Sequence, residues 1–211
     1  MDNNVMAAMA RWPEVPDVYG WLSLSEQGKW RLHPQGDAEE GSEGASITSP
    51  QILQFIDHNY AGDEHGRWFF QNGPQRVFTR LDAAPYVLHT RGITDVDSVE
   101  LASHNGLTVH AIKAWWLAEA GRLYAVTEHG PGLIAGRDLP AVMAALHTPQ
   151  GVSLMSLLER EGYPSAPIAL RSVTAVTEPA GDVLLRVCPD HEIPNRLGFV
   201  RSPRALGRIS P

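Results

Sequence analysis

Along most of this chain apolar and polar residues alternate over short runs that stop at glycine, which is how strands with one buried face read. Residues 19–25 and 29–33 are two such runs around Glu26-Gln27-Gly28 and predict a β-hairpin. Residues 67–71, 76–81 and 86–90 predict three more strands, with Asn72-Gly73 as the tight turn between the first two. A second meander is expected from residue 98 through Asn105-Gly106 to about residue 117, then from 122 to 127. A closing hairpin is expected to pair residues 168–178 with 183–187 around Pro179-Ala180-Gly181-Asp182.

The period changes to that of a helix at three places. Ser49-Pro50 begins one, since a hydroxyl caps orphan N–H groups and proline's missing donor costs nothing in the first turn. Ile52, Phe55 and Ile56 share its face, and it is expected to run to about Gly62. Residues 139–147 and 153–161 predict two more, the latter with Ser153 as cap and Gly162 as terminator. Strand runs broken by about three packed helices specify an α+β fold of antiparallel β-meanders, not alternating βαβ units. A division near residues 91–97 separates a hairpin-helix-meander subdomain, residues 1–92, from a meander-helix subdomain, residues 93–211, with a single domain as the alternative.

One regularity recurs. Glu26-Gln27-Gly28-Lys29-Trp30, Glu64-His65-Gly66-Arg67-Trp68 and Glu119-Ala120-Gly121-Arg122-Leu123 share the form E-x-G-[KR]-[WL], each ahead of a strand. A turn that needs positive φ at glycine, reached three times independently, explains it; duplication of a hairpin-helix unit is the alternative.

Composition narrows the class. With 211 residues, 43% hydrophobic, 19% charged and six tryptophans, the chain is globular rather than disordered. A net charge of −7, with lysine only at 29 and 113, argues against a general nucleic-acid binder. Asp37, Glu39, Glu40 and Glu43 crowd one loop while Arg196, Arg201, Arg204 and Arg208 crowd the end of the chain. These read as two solvated segments, with a contact between them as the alternative. No apolar run approaches the roughly 20 residues that span a bilayer, and the start of the chain lacks a secretory pattern. The single Cys188 agrees with a reducing compartment, so the expectation is a soluble cytoplasmic protein.

The string Arg11-Trp12-Pro13-Glu14-Val15-Pro16-Asp17-Val18-Tyr19-Gly20-Trp21-Leu22 and the later Gly66-Arg67-Trp68-Phe69-Phe70-Gln71-Asn72-Gly73-Pro74-Gln75-Arg76-Val77 resemble an uncharacterised bacterial protein family of unknown function, over about residues 11–203. The element order, with Ala84-Pro85-Tyr86-Val87-Leu88 ending a strand, is distantly similar to a second uncharacterised bacterial family of α+β type. The resemblance implies a bacterial, cytoplasmic protein and an α+β architecture. It brings no activity and no catalytic residues.

Candidate chemistry is sparse. Asp57, His58, Asp63, Glu64 and His65 lie close in sequence but fit no ligand motif, and no metal site or cofactor is expected. His104 and His110 would face opposite ways if Asn105-Gly106 is a two-residue turn. Cys188 with His191 could be read as a nucleophile beside its base, but a lone Cys in a strand with Leu184, Leu185 and Val187 reads as a small buried hydrophobe, and the glycines of residues 130–136 read as a turn and short strand, not a phosphate loop, because Pro131 removes a donor. H-E-x-x-H, G-x-S-x-G and Walker signatures are absent.

The tryptophans are the better clue. In Trp115-Trp116, strand alternation sends the rings to opposite faces, so one packs inward and the other is left for solvent or a second copy. The preferred reading is a noncatalytic module that binds a small molecule or a protein and self-associates through Trp115 and Trp116. The alternative is a small hydrolase-like enzyme with scattered site residues around Trp68, Asn72 and Arg76, the candidate ligand-binding set. A regulator whose basic tail meets an acidic partner or nucleic acid comes third.

Overall fold

Two meanders cannot share a sheet unless their edge strands pair, and both sheets of this protein solve that problem in the same way. The computed structural model describes residues 2–95, 98–171 and 181–204. Contacts divide the chain into Met1–Ala83 with Gly198–Pro211, and Ala84–Leu197. The boundary falls ahead of the 92/93 division expected from sequence, which would cut a continuous strand, Tyr86–Asp95. The residues after Leu197 return to the first unit, where the Val200 N–H donates to Gly66 O at 2.9 Å and the Leu81 N–H to Arg201 O at 2.7 Å.

The N-terminal unit contains α1 (Asn3–Arg11), β1 (Val18–Leu24), β2 (Trp30–Leu32), β3 (Ala45–Ser46), α2 (Pro50–His58), β4 (Tyr60–Gly62), β5 (Trp68–Asn72) and β6 (Gln75–Leu81). Its sheet has the order β3-β2-β1-β6-β5-β4. The neighbours β1-β2, β2-β3, β4-β5 and β5-β6 are antiparallel meander pairs, and the join, β1 with β6, is parallel. Helix α2 stops at His58 because Tyr60 pairs with Phe70, so the stretch expected to continue the helix to Gly62 is strand β4.

This sheet is strongly curled. Three strands separate β2 from β4, which in a flat sheet sets them about 19 Å apart, yet the Trp30 and Tyr60 rings meet edge-on at 5.0 Å. Part of the bend comes from β1, whose register with β6 shifts between Val18 and Leu22 around Gly20, at φ +82°. A Cβ at Gly20 would also collide with the carbonyl oxygen of Gly36.

The C-terminal unit contains β7 (Tyr86–Asp95), β8 (Ser98–Ser103), β9 (Thr108–Val109), β10 (Ile112–Ala118), β11 (Leu123–Thr127), β12 (Pro131–Ile134), α3 (Leu139–Ala145), α4 (Leu154–Glu161), β13 (Ile168–Leu170), β14 (Val183–Cys188) and α5 (Ile193–Leu197). Its sheet runs β13-β14-β10-β11-β12-β7-β8-β9. Six of these strands repeat the first sheet's arrangement: two meanders, β7-β8-β9 and β10-β11-β12, joined by the parallel pair β7-β12. A second parallel pair, β10-β14, extends it. Trp115, Leu117, Leu123, Leu88, Leu101 and Leu185 share one face through these registers and are all buried.

The fold is therefore α+β, as the periodicities predict, but the sheets are mixed, and the described residues hold five α-helices. Helices α3 and α4 form where expected, and the Ser153 side chain accepts the Ser156 N–H at 3.2 Å. Ser49 precedes α2 with extended backbone and no side-chain cap. Helix α1 was hidden because Val5 is its single buried residue, and α5 because it is five residues long. The closing hairpin is present where β13 pairs with β14; residues 172–180, which include the first half of its expected turn, lie outside the described residues.

The E-x-G-[KR] segments are one turn used three times. In each, a residue at the end of the first strand or just after it exchanges bonds with residues three and four further on: Ser25 with Gly28 and Lys29, Asp63 with Gly66 and Arg67, Ala118 with Gly121 and Arg122. The glycines sit at φ +75°, +72° and +84°, the left-handed position of a turn closed by a bulge. The copies at 64–68 and 119–123 occupy equivalent places, β4-β5 and β10-β11, in the two arrangements. Ser103, Gly106 and Leu107 make the same turn, so Asn105-Gly106 is not a two-residue hairpin. The two-residue turn is instead Gly73-Pro74, with Asn72 paired to Gln75.

Gly20→Ala is expected to cost about 2–4 kcal/mol, because positive φ and a backbone collision add. Gly106→Ala, at φ +86° with nothing within 4 Å of the new methyl, should cost about 1 kcal/mol. Urea midpoints of the two variants make the comparison, and equal losses would show that the Gly36 contact imposes nothing. Burial also pushes the His104 imidazole down to about 3. Its folded value lies below the unfolded one, so the unfolded chain takes the proton first and stability falls as pH drops from about 6.5 toward 3. Between pH 6.5 and 5, above most carboxylate titration, His104→Gln should flatten the fall in unfolding free energy by up to about 1.4 kcal/mol per pH unit; an unchanged slope would exclude His104 as the source.

Candidate functional site

Strand alternation gives the N-terminal sheet two chemically different faces. The concave face carries Leu22, Trp30, Leu32, Tyr60, Trp68, Phe70 and Val77, with α2 lying against it; Phe55 of α2 meets Phe70 edge-on at 5.4 Å. At one end of the concavity Trp30, Tyr60 and Trp68 pack together, the Tyr60 and Trp68 rings 5.1 Å apart. The Trp30 indole N–H donates to Asp57 Oδ1 at 2.7 Å and anchors the end of α2 there; burial pushes the Asp57 carboxyl up, against that bond.

The rest of the concavity is open. A groove of about 860 Å³ runs between α2 and strands β1, β2, β5 and β6. Its walls include Trp21, Leu32, Ile52 and Phe55, which are 45%, 43%, 52% and 37% exposed although all are large and apolar. Thr48, Ser49, Asn72 and Gln75 supply the polar atoms, and among the described residues no ionisable side chain lines the groove. The volume falls within the range of small-molecule sites, and a cluster of open aromatic and branched side chains of this kind marks a binding surface.

The convex face holds aromatic rings capped by arginines. Tyr19 stacks on Phe78 at 4.8 Å, Arg67 lies over Phe78 and Arg76 over Phe69. Beside them is a polar chain, buried at Ser23 and His33 and half-buried at Ser42 and Asp37, that sequence reasoning missed, because its members come from β1, from the residue after β2 and from the acidic loop. The Ser23 hydroxyl donates to His33 Nε2 at 2.8 Å, His33 Nδ1–H to Ser42 Oγ at 2.6 Å, and the Ser42 hydroxyl to Asp37 Oδ1 at 2.9 Å. Burial, assisted by the nearby Arg80, lowers the His33 pKa and keeps the ring neutral. The order resembles that of a serine nucleophile and its base, but Ser23 and His33 are both fully buried and neither lines the groove, so no substrate carbonyl reaches Ser23 Oγ. The chain ties the acidic loop to the sheet, as Arg80 does by donating to Ala38 O and Ser42 O. Of the contact between acidic loop and basic tail weighed as the alternative, the described residues show Arg204 to Glu39 at 3.4 Å.

The remaining residues singled out from sequence fall as follows. Trp68 is buried in the Trp30-Tyr60 cluster and Asn72 stands on the same face at the groove rim. Arg76 pairs with Gln71 and therefore points to the opposite face, so the three do not form one site. Trp115 is wholly buried and out of a second copy's reach, whereas Trp116 is half-buried on the other face under Arg186. Asp63 is engaged by Arg67 at 2.7 Å, and no group of three metal-ligating side chains occurs among the described residues. Cys188 is buried, and burial raises its thiol pKa. No helix among the described residues is long and apolar enough to cross a membrane.

Ser23→Ala leaves His33 Nε2 buried without its donor and is expected to cost about 1–3 kcal/mol, read from urea unfolding. A fluorophosphonate probe should leave the native protein unlabelled, and stoichiometric labelling at Ser23 would restore the hydrolase alternative.

Among solved structures, the chain is similar to a DUF1285 family protein from Silicibacter pomeroyi DSS-3, with a TM-score of 0.50 and 13% identity over 92% of this chain and 98% of that one. At that identity the likeness concerns the fold alone. A DUF1285 family protein from Shewanella baltica OS155 matches at a TM-score of 0.41 and 13% identity, over 56% of this chain and 87% of that one. The curated proteins give no match. The model of the DUF2944 family, described as "Protein of unknown function (DUF2946)", matches residues 1–204, and the chain belongs to that family.

Proposed function

We propose that this protein is a noncatalytic binding module whose N-terminal unit takes an uncharged, largely apolar small molecule in the groove beside α2. The observation that carries this reading is the lining itself: among the described residues, ten apolar side chains, four uncharged polar ones and no titratable group. Acid–base or nucleophilic chemistry needs a titratable or activated group within reach of the substrate, and the groove offers none. It offers instead apolar surface whose removal from water favours binding by roughly 25 cal/mol per Å². Thr48, Ser49, Asn72 and Gln75 provide hydroxyl and amide partners that fix orientation without demanding charge.

Nile red, a neutral apolar dye, tests the proposal by fluorescence titration of the full chain with 1-decanol as competitor. Saturable binding that decanol displaces is expected. Ile52→Glu, at an exposed helix position, should weaken it by about tenfold or more by placing a charge in apolar surroundings, with the thermal midpoint unchanged. Binding that ignores Ile52→Glu, or no saturable binding, would overturn the assignment.

A further inference from the structure

The C-terminal unit has a smaller cavity of opposite character, about 220 Å³, on the sheet face away from Trp115. We propose that it is a binding site for a small organic anion, its oxyanion head held by Arg186 and Arg196 and its flat or apolar body set against Trp116 and two prolines. This inference does not rest on the groove of the N-terminal unit and stands or falls separately.

Strand register builds the site. Trp116 of β10 and Arg186 of β14 are direct partners in the parallel pair, so their side chains emerge together on one face. The Arg186 guanidinium stands 5.7 Å from the Trp116 ring centre. That contact holds the cation but satisfies none of its N–H donors, and among the described residues no carboxylate forms an ion pair with it. Arg196 enters from α5, held by Glu192 through Nε at 2.9 Å and Nη2 at 2.8 Å, an arrangement that leaves Nη1 over. Among the described residues the cavity lining holds two arginines and no carboxylate, Glu192 reaching Arg196 from outside that lining, and this favours an anion.

Shape narrows the ligand further. Pro164 and Pro167, with their fixed φ, add stiff apolar surface to the same lining as Trp116. The volume lies below the usual drug-sized range, so the ligand has roughly the size of benzoate. A guanidinium fork matches a carboxylate bidentately, while a ring body gains from the indole and proline surfaces. Cys188 also lines the cavity; burial and the nearby Glu192 keep it protonated, so it contributes no competing negative charge.

The test is calorimetric titration of the full chain with benzoate, benzyl alcohol and inorganic phosphate. Benzoate is expected to bind saturably and benzyl alcohol not at all, and Arg186→Gln should weaken benzoate by about tenfold or more through loss of charge-assisted bonds. Thermal unfolding confirms that the variant is folded; if it is not, Arg196→Gln, at a half-exposed position, provides the same test with a several-fold loss expected. Bound benzoate should also slow alkylation of Cys188 by N-ethylmaleimide, followed by mass spectrometry, which places the ligand in this cavity. No saturable benzoate binding, equal affinity in the folded arginine variants, or unprotected Cys188 at saturation would each overturn the proposal. Phosphate binding as tightly as benzoate would overturn the assignment of an organic anion.

Discussion

Each unit depends on one parallel pair between strands distant in sequence: β1 with β6 in the first, β7 with β12 in the second. Each pair joins two antiparallel meanders side by side and puts the end of one meander and the start of the next at opposite edges of the six-strand arrangement. The chain must then travel from edge to edge, and the length of that connection decides the shape of the sheet. Between β9 and β10 only residues 110 and 111 intervene, a reach of about 11 Å, whereas flat strands would stand about 24 Å apart. The sheet has to curl until its edges approach. Glu128 holds the junction by accepting the N–H groups of His110 and Ala111 at 2.7 and 3.1 Å.

The equivalent connection in the first unit, residues 47–59, contains α2. The longer bridge lets a helix lie over the concave face, where Trp30 and Asp57 fasten one end of it and Phe55 meets Phe70. It fills the concavity only in part. The same strand order thus gives a face packed with Trp115, Leu117, Leu123 and Leu101 in one unit and an open apolar groove in the other. Open groove walls cost free energy in water, since Trp21 and Ile52 keep about half their surface exposed. A ligand that covers them would recover that cost, whereas the sealed Ser23-His33 chain leaves no surface for one.

Buried polar groups divide along the same lines. Ser23, His33, Ser42 and Asp37 satisfy one another in a single direction of donation and serve to hold a loop. Arg186 is different, because its strand register gives it an aromatic neighbour and, among the described residues, no carboxylate in an ion pair. A cation steadied by a π-face but unmatched in its hydrogen bonds keeps its capacity for an incoming anion. One chain thereby offers two separate chemistries, apolar in the first unit and cationic in the second.

Local features were legible in the residues alone. Glycine at positive φ fixed the E-x-G-[KR] turns, alternation fixed most strands and the opposite facing of Trp115 and Trp116, and Ser153 with Gly162 bounded α4. These features depend on neighbours a few residues apart, and residue types carry that information. Only the tertiary structure decided which strands pair across long separations, and so that the sheets are mixed and the first one curls. It decided that Tyr60 leaves the helix to pair with Phe70, and that Arg76 stands behind the sheet from Trp68 and Asn72, because a turn at Gly73-Pro74 sets the register that assigns every side chain its face. The groove and the Trp116-Arg186 pocket are products of that register. No stretch of consecutive residues encodes either, since each is assembled from strands whose partners lie tens of residues away.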